Sequence, residues 1–356
     1  MTGAAQNLPM LVLGGAVSAI GAGGLLVFRQ ASHTWGLDHA DEPRKTHEGP
    51  IPRIGGVAIF PACLAVALCS GQPLAITVGA ILLFLLGFGD DLVRLNSRLK
   101  LDAQVVVAIL SFFMGLRLDT LPSWSGEPVH LPVLLSLPLT VAWLVGWTNA
   151  MNLIDGLDGL ATGIAMIGMA FLSMVVPTGA LSVGFAGAAA GFLCFNFPRA
   201  RMFLGDGGAY LFGYLFGALA LLDDHGRGVP FLITVLAVPL LDTVFAFGRR
   251  AWRRLPVMKG DAEHIHHQLR ALGLSSPVAV LLLHLATAIS GLVACGALHV
   301  AGGGWAGLVW VIGAGGGGVW YLVSRPVAVG GQDQNNSAKP SSSNVVGSDT
   351  VSSSST

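Results

Sequence analysis

Apolar runs long enough to approach a bilayer's thickness recur along almost the whole chain, and they leave few folds open. They fall at about 9–28, 54–70, 73–89, 102–117, 131–148, 158–176, 179–197, 208–222, 229–247, 277–298 and 303–323, against the roughly 20 residues a transmembrane helix needs. Hydrocarbon offers no partner for an amide or carbonyl, so such runs become helices that bond internally. The expectation is an all-α polytopic membrane protein of about 11 transmembrane helices. Only 11% of residues are charged, where a soluble domain has about 25%. Residues 1–329 read as one membrane domain. The Gly, Ser, Asn and Thr of 330–356 read as a disordered polar tail. The first apolar run has no basic segment before it, so it reads as a retained span rather than a cleaved signal.

The basic residues divide sharply between the two sides that these runs define. Fifteen of the 19 Lys and Arg residues fall in five loops on one side, at about 29–53, 90–101, 149–157, 198–207 and 248–276. The other side has only Arg117 and Arg227, and the tail carries Arg325 and Lys339. Basic loops stay in the cytoplasm, so the N-terminus is expected outside and the C-terminus inside. The net charge is zero and no basic, aromatic-interleaved patch is present, which argues against a nucleic-acid partner. Cys63, Cys69, Cys194 and Cys295 all sit in apolar runs and read as small buried residues, neither disulfides nor zinc ligands.

Each of the five loops on this side also carries a polar motif, and the third, which has no Lys or Arg, carries only that. The third is the densest: Asn149-Ala-Met-Asn152-Leu-Ile-Asp155-Gly-Leu-Asp158-Gly-Leu-Ala161. Two amides and two carboxylates recur every three residues between two apolar runs, which on one helix would place them near one face. A polar turn at the membrane surface is the plain alternative. A carboxylate at mid-bilayer costs about 2.5–3.5 kcal/mol on insertion scales, and the acidic company in neighbouring loops favours a functional reading.

The second loop reads Asp90-Asp91-Leu-Val-Arg94-Leu-Asn-Ser-Arg98-Leu-Lys100. Adjacent carboxylates at a span's end either chelate Mg²⁺ or divide into a metal ligand and a base. Arg94 and Lys100 suit phosphate oxygens. The fourth loop holds Asn196-Phe-Pro-Arg-Ala-Arg-Met-Phe203-Leu-Gly-Asp206-Gly-Gly. Asp206 lies where a helix should begin, among glycines that let a diphosphate or metal approach. The first loop offers Lys45 and His47 beside Pro50-Ile-Pro-Arg53, suited to phosphate or to plain anchoring. The fifth holds His264-Ile-His266-His267, which suits a transition metal or a sugar phosphate; the basic run from Arg249 to Lys259 favours phosphate. Asp242, within an apolar run beside Pro239, reads equally as a structural carboxylate or as support for catalysis. No Walker loop or Gly-x-Ser-x-Gly elbow occurs, so neither ATP hydrolysis nor serine acyl chemistry is indicated. Carboxylates, amides, His and Lys/Arg at one membrane face point to metal-assisted phosphoryl transfer between a lipid and a cytosolic phosphorylated molecule.

Across residues 40–270 these five motifs, in order, resemble the polyprenyl-phosphate N-acetylhexosamine-1-phosphate transferases, relatives of phospho-MurNAc-pentapeptide transferase. The resemblance implies ten or eleven spans in a bacterial cytoplasmic (inner) membrane. It implies dependence on Mg²⁺ (or Mn²⁺) and transfer of a sugar 1-phosphate from a UDP-sugar to undecaprenyl phosphate with release of UMP. UDP-GlcNAc is the expected donor, since Asp-x-Pro-Arg-Lys-x-His with Pro-Ile-Pro looks closer to that branch. By motif position, Asp90 and Asp91 match the catalytic pair, and Asp91, Asn152 and Asp206 the metal shell. Asp155, Asp158, Asn196 and Phe203 match the nucleotide site, Lys100 a diphosphate contact, and His264, His266 and His267 the sugar loop. A homodimer is compatible with this reading.

Three rivals remain. Phospho-MurNAc-pentapeptide transfer shares the histidine motif. CDP-alcohol phosphotransferases need an Asp-Gly-x-x-Ala-Arg run, and Asp158-Gly-Leu-Ala161 continues without an Arg. A transporter or lipid flippase would place its carboxylates near the midplane rather than on one side.

Overall fold

The computed structural model describes residues 2–31, 37–38, 51–123, 127–177, 179–252, 254 and 264–299. These form helices α1 (Thr2–Ala31), α2 (Gly55–Ser70), α3 (Leu74–Val93), α4 (Ser97–Phe113), α5 (Val133–Ile154) and α6 (Leu160–Leu172). Then come α7 (Gly179–Asn196), α8 (Gly205–Ala220), α9 (Gly228–Val235), α10 (Ala237–Trp252), α11 (Ile265–Ala271) and α12 (Ser276–Ala297). Two short antiparallel pairs, β1 (Leu37–Asp38) with β2 (Ile51–Pro52) and β3 (Thr120–Leu121) with β4 (Val129–His130), complete the described elements. The run expected at 303–323, the tail at 330–356, and both Lys45 and His47 lie outside the described residues.

Among the described residues five helices are long and apolar enough to cross a membrane: α1, α3, α5, α7 and α12; the count is six if α9 and α10 form one broken span. The chain is therefore an all-α, multi-pass membrane protein. Leu68, Leu85, Val106, Leu134, Leu285 and Leu292 point outward from these and neighbouring helices, the surface that lipid would cover. The shorter helices have another reason to be apolar. Every residue of α8 from Gly207 to Ala220 is buried by protein. At 16 residues it is about 24 Å long, less than the roughly 30 Å hydrocarbon core.

α8 is the axis of the bundle, packed against α2, α3, α5, α6 and α9. Tyr210, Phe212, Tyr214 and Phe216 fill the space around it. Its few polar groups are bonded: the Tyr214 hydroxyl donates to the Ala75 carbonyl at 3.0 Å and lies 2.9 Å from Ser111 Oγ. The Trp143 indole N–H donates to the Gly217 carbonyl at 3.0 Å. The longest contact elsewhere runs between α1 and α7, where small residues bring two backbones together. A methyl group on Gly14, Gly187 or Gly191 would overlap the facing carbonyl of Gly184, Leu11 or Gly15.

Two expectations change. The run 229–247 is not one straight helix, because α9 and α10 meet at a bend of 80° at Leu236. Pro239 has no N–H for the carbonyl four residues back, so the ladder fails there. The cysteines are all free as expected, yet only Cys63 is buried, while Cys69 and Cys194 are exposed on outward helix faces. An apolar run says that a residue avoids water, not whether lipid or protein covers it.

The α1–α7 seam makes a specific forecast. Gly187→Ala should destabilise the protein by about 2 kcal/mol through overpacking. Gly24→Ala, whose new methyl meets nothing within 4 Å, should be neutral or mildly stabilising. Thermal unfolding of the detergent-solubilised variants measures both.

Candidate active site

The polar loops meet at one end of the bundle, and backbone pairing holds them there. The N–H groups of Gly55 and Gly56, at the start of α2, donate to the carbonyls of Phe203 and Leu204, each at 2.9 Å. The Phe203 N–H donates to the Pro52 carbonyl at 2.9 Å. The first and fourth loops are thus one unit, and Arg53 lies inside it.

The chain then turns into α8 through Gly205, whose φ of +75° suits glycine. A buried helix start leaves amides without partners. Asp91, near the C-terminus of α3, supplies them: its Oδ1 accepts from the Asp206 N–H at 2.9 Å and its Oδ2 from the Gly207 N–H at 3.0 Å. Asp90 faces the other way. Its Oδ1 accepts from the Leu95 N–H at 2.6 Å, and its Oδ2 from Lys100 Nζ at 2.7 Å. Lys100, in the first turn of α4, also reaches Asp206 Oδ2 at 3.5 Å. One ammonium therefore stands between two carboxylates. Tyr210, one turn along α8, lies with its hydroxyl against Asp206.

Four of the expected residues, Asp90, Asp91, Lys100 and Asp206, thus meet directly. Asp155, in the α5–α6 loop, joins them electrostatically. Burial pushes its carboxyl up to about 7; Arg53 opposes the shift and Asp206, Asp91 and Asp158 reinforce it. Arg53 acts on Asp91 and Asp206 as well. In the sequence Arg53 is one basic residue among many, although its place two residues before the Gly55-Gly56 pair is a usable signal. Tyr210 was missed too, since its i+4 relation to Asp206 counts only once the helix start is known.

Other expected residues have different surroundings. The Asn149–Asp158 amides and carboxylates do not share one helix face, because α5 ends at Ile154 and Gly159, with φ +77°, starts a new direction. Asn149 donates to Gln104 Oε1 on α4 at 2.6 Å, while Gln104 Nε2 is buried without a partner. Asn152 is half-buried on the last turn of α5 and makes no side-chain hydrogen bond among the described residues. Asp158 accepts from the Ala200 N–H at 2.9 Å, joining the third loop to the fourth. Asn196 is 2% exposed and bonded within the protein: it donates to the Met202 carbonyl and accepts from Thr162 Oγ1, both at 2.9 Å. Phe203 is partly buried where the first and fourth loops pair. Arg94 is exposed at the left-handed C-cap of α3, with φ of 52°.

The histidine loop closes the site's other flank. His264 Nδ1 lies 2.8 Å from Asp242 Oδ2, and the Ile265 N–H donates to Asp242 Oδ1 at 2.8 Å. His266 stacks on His264 with 5.7 Å between ring centroids and lies 4.3 Å from His267. Its imidazole fills the space that a side chain at Gly156 would occupy, so this loop touches the Asp155 loop. Burial pulls His266 down to about 3, helped by His267 and only partly opposed by Asp242, so it is neutral at physiological pH.

The donors suit a hard cation. Around the Asp90–Lys100–Asp206 contact they are oxygens, and the carboxylates of Asp90, Asp91, Asp155 and Asp206 outnumber the cations Lys100 and Arg53. No group of three His, Cys, Asp or Glu among the described residues stands ready to chelate. A hard divalent ion such as Mg²⁺ would need only one or two of these carboxylates, with water and phosphate oxygens completing its shell.

The glycosyl transferase family 4 model matches residues 73–223, from α3 through α8. A Bacillus subtilis (strain 168) protein named probable undecaprenyl-phosphate N-acetylglucosaminyl 1-phosphate transferase is 39% identical over 264 residues, 69% of this chain and 73% of its own. A Thermotoga maritima undecaprenyl-phosphate alpha-N-acetylglucosaminyl 1-phosphate transferase is 35% identical over 67% of this chain and 74% of its own. A Staphylococcus saprophyticus phospho-N-acetylmuramoyl-pentapeptide-transferase is 30% identical over 59% and 71%.

Two outcomes follow from the geometry. Asp91→Ala should cost about 1–2 kcal/mol of stability, as loss of a helix cap does, and Asp91→Asn less, since its one oxygen still accepts; melting curves decide. For Asp155 the folded carboxyl holds its proton more tightly than the unfolded one. Its ionisation penalty is absent below the ordinary value of 3.8, grows as pH rises, and is complete above about 7. Asp155→Asn should therefore gain more stability over the parent at pH 8 than at pH 5, measured without divalent cation.

Proposed function

This chain belongs to glycosyl transferase family 4, and from that premise we propose that it transfers N-acetylglucosamine 1-phosphate from UDP-GlcNAc to undecaprenyl phosphate. The observation that carries the reading is the Asp90–Lys100–Asp206 contact at the junction of α3, α4 and α8. Around it residues of the first, second and fourth loops meet at the end of an apolar bundle. A lipid acceptor arrives through the membrane and a nucleotide sugar from the aqueous side.

In this reaction an oxygen of the lipid phosphate attacks the β-phosphorus of UDP-GlcNAc. The bond from that phosphorus to the bridging oxygen breaks, and UMP leaves with its electron pair. The products are lipid diphosphate-linked GlcNAc and UMP. Lys100 and Arg53 hold phosphate oxygens, as their positions among the carboxylates favour. The second pKa of a phosphate is about 6, so the acceptor is mostly a dianion at pH 7 and needs little help from a base. Asp90 then orients Lys100, and Asp91 holds α8 in register. Asp206, with Asp90 and the Asn152 amide nearest in sequence to the Asp155 loop, would hold Mg²⁺. The ion, when bound, neutralises the diphosphate and the charge that develops on the leaving UMP. The neutral His266 and its neighbour His267 flank the Asp155–Asp158 loop, where a sugar hydroxyl or acetamido group needs uncharged partners. The basic-residue asymmetry supports a cytoplasmic active face in a bacterial inner membrane, with the N-terminus outside.

Purified protein supplied with undecaprenyl phosphate and Mg²⁺ should release UMP from UDP-GlcNAc and not from UDP-MurNAc-pentapeptide. Asp206→Asn should abolish release while melting normally. Silence of the parent with every UDP-sugar, in folded protein, would remove the reading and restore the transporter alternative.

A further inference from the structure

Asp242 has no place in the reaction as described, yet it is among the most thoroughly bonded carboxylates in the molecule. It is 1% exposed and lies on α10, just past the 80° break. Both oxygens are used by the histidine loop, one by His264 Nδ1 and one by the Ile265 N–H, each at 2.8 Å. A carboxylate accepts from a ring nitrogen, so this contact makes Nδ1 the protonated nitrogen and leaves Nε2 as the acceptor in neutral His264. The ring so fixed is 6% exposed and lies parallel to His266, at an interplanar angle of 3°. His266 in turn is pressed against Gly156 and is 2% exposed, with Nδ1 lacking a partner among the described residues. An unpartnered ring nitrogen in so enclosed a place is costly unless a ligand supplies its partner.

We propose that Asp242 and His264 are positioning residues: they fix the tautomer and the seat of the histidine loop so that His266 meets the donor sugar beside the Asp155 loop. This rests on the sugar-transfer reading above. The carboxylate acts through α11 and the stacked rings, not on the reacting atoms. Outer partners that orient metal-bound histidines are worth about 10–100-fold in activity, and the same order is expected of this orienting contact.

Asp242→Asn separates this role from simple support. Its oxygen can still accept the Ile265 N–H, so the start of α11 keeps its cap. Its amide, however, would face His264 Nδ1 with a donor and drive the proton to Nε2. The ring ¹⁵N signals of His264, assigned by their loss in His264→Gln, should report an Nδ1-protonated ring in the parent and an Nε2-protonated ring in Asp242→Asn. UMP release should fall by about 10–100-fold in both variants, with the KM for UDP-GlcNAc raised and that for undecaprenyl phosphate unchanged. The double variant should be no worse than either single one. A parent ring protonated at Nε2, or either variant releasing UMP within twofold of the parent, would overturn the proposal. Variants that melt earlier but keep parental kinetic constants would reduce Asp242 to structural support and overturn it equally. If the parent releases no UMP from any donor, the sugar-transfer reading fails, while the ring signals still decide whether Asp242 sets the tautomer.

Discussion

A helix that starts inside a protein must find partners for its first amides, and here a carboxylate from another helix provides them. Asp91 on α3 accepts the N–H groups of Asp206 and Gly207 at the start of α8. Much else depends on that contact. It sets the depth of the bundle's central helix, and it aims the Asp206 side chain at Lys100. It also draws the end of α3 against the glycines that open α8. A methyl group on Gly87 would meet the Asp206 carbonyl at 2.5 Å, so the two backbones are already close. The adjacent Asp90 is left to face Lys100. Two neighbouring carboxylates thus have separate duties because successive helix positions point about 100° apart.

The charge balance follows from the same arrangement. Like charges this close would resist ionisation unless cations sit among them. Lys100 lies between Asp90 and Asp206, and Arg53 serves Asp155. The carboxylates remain in excess, so the cluster keeps a net negative charge that a bound cation would offset.

Much of this was legible in the chain itself. The ten apolar runs within the described residues all fall on helices, and Asp206 begins one, as its glycine neighbours led one to expect. Asp90, Asp91, Lys100 and Asp206 do come together. What stayed hidden depends on geometry between distant segments. Asn196 is a polar residue in a motif, and only the folded chain shows its amide spent on Met202 and Thr162. Asn149 looks like part of the third motif and is turned towards Gln104 instead. Hydropathy cannot separate a helix enclosed by protein, such as α8, from one facing lipid. Nor does it show that a proline turns one expected span into α9 and α10.

The enclosure of α8 also bears on how the molecule can move. Amides buried on every side exchange with water only when much of the structure opens, so α8 belongs to the slowest-opening part of the fold. Asp206 is carried by that part. Local opening then begins in segments less enclosed than α8. The acidic group is thereby a fixed point about which the less enclosed parts of the fold can shift.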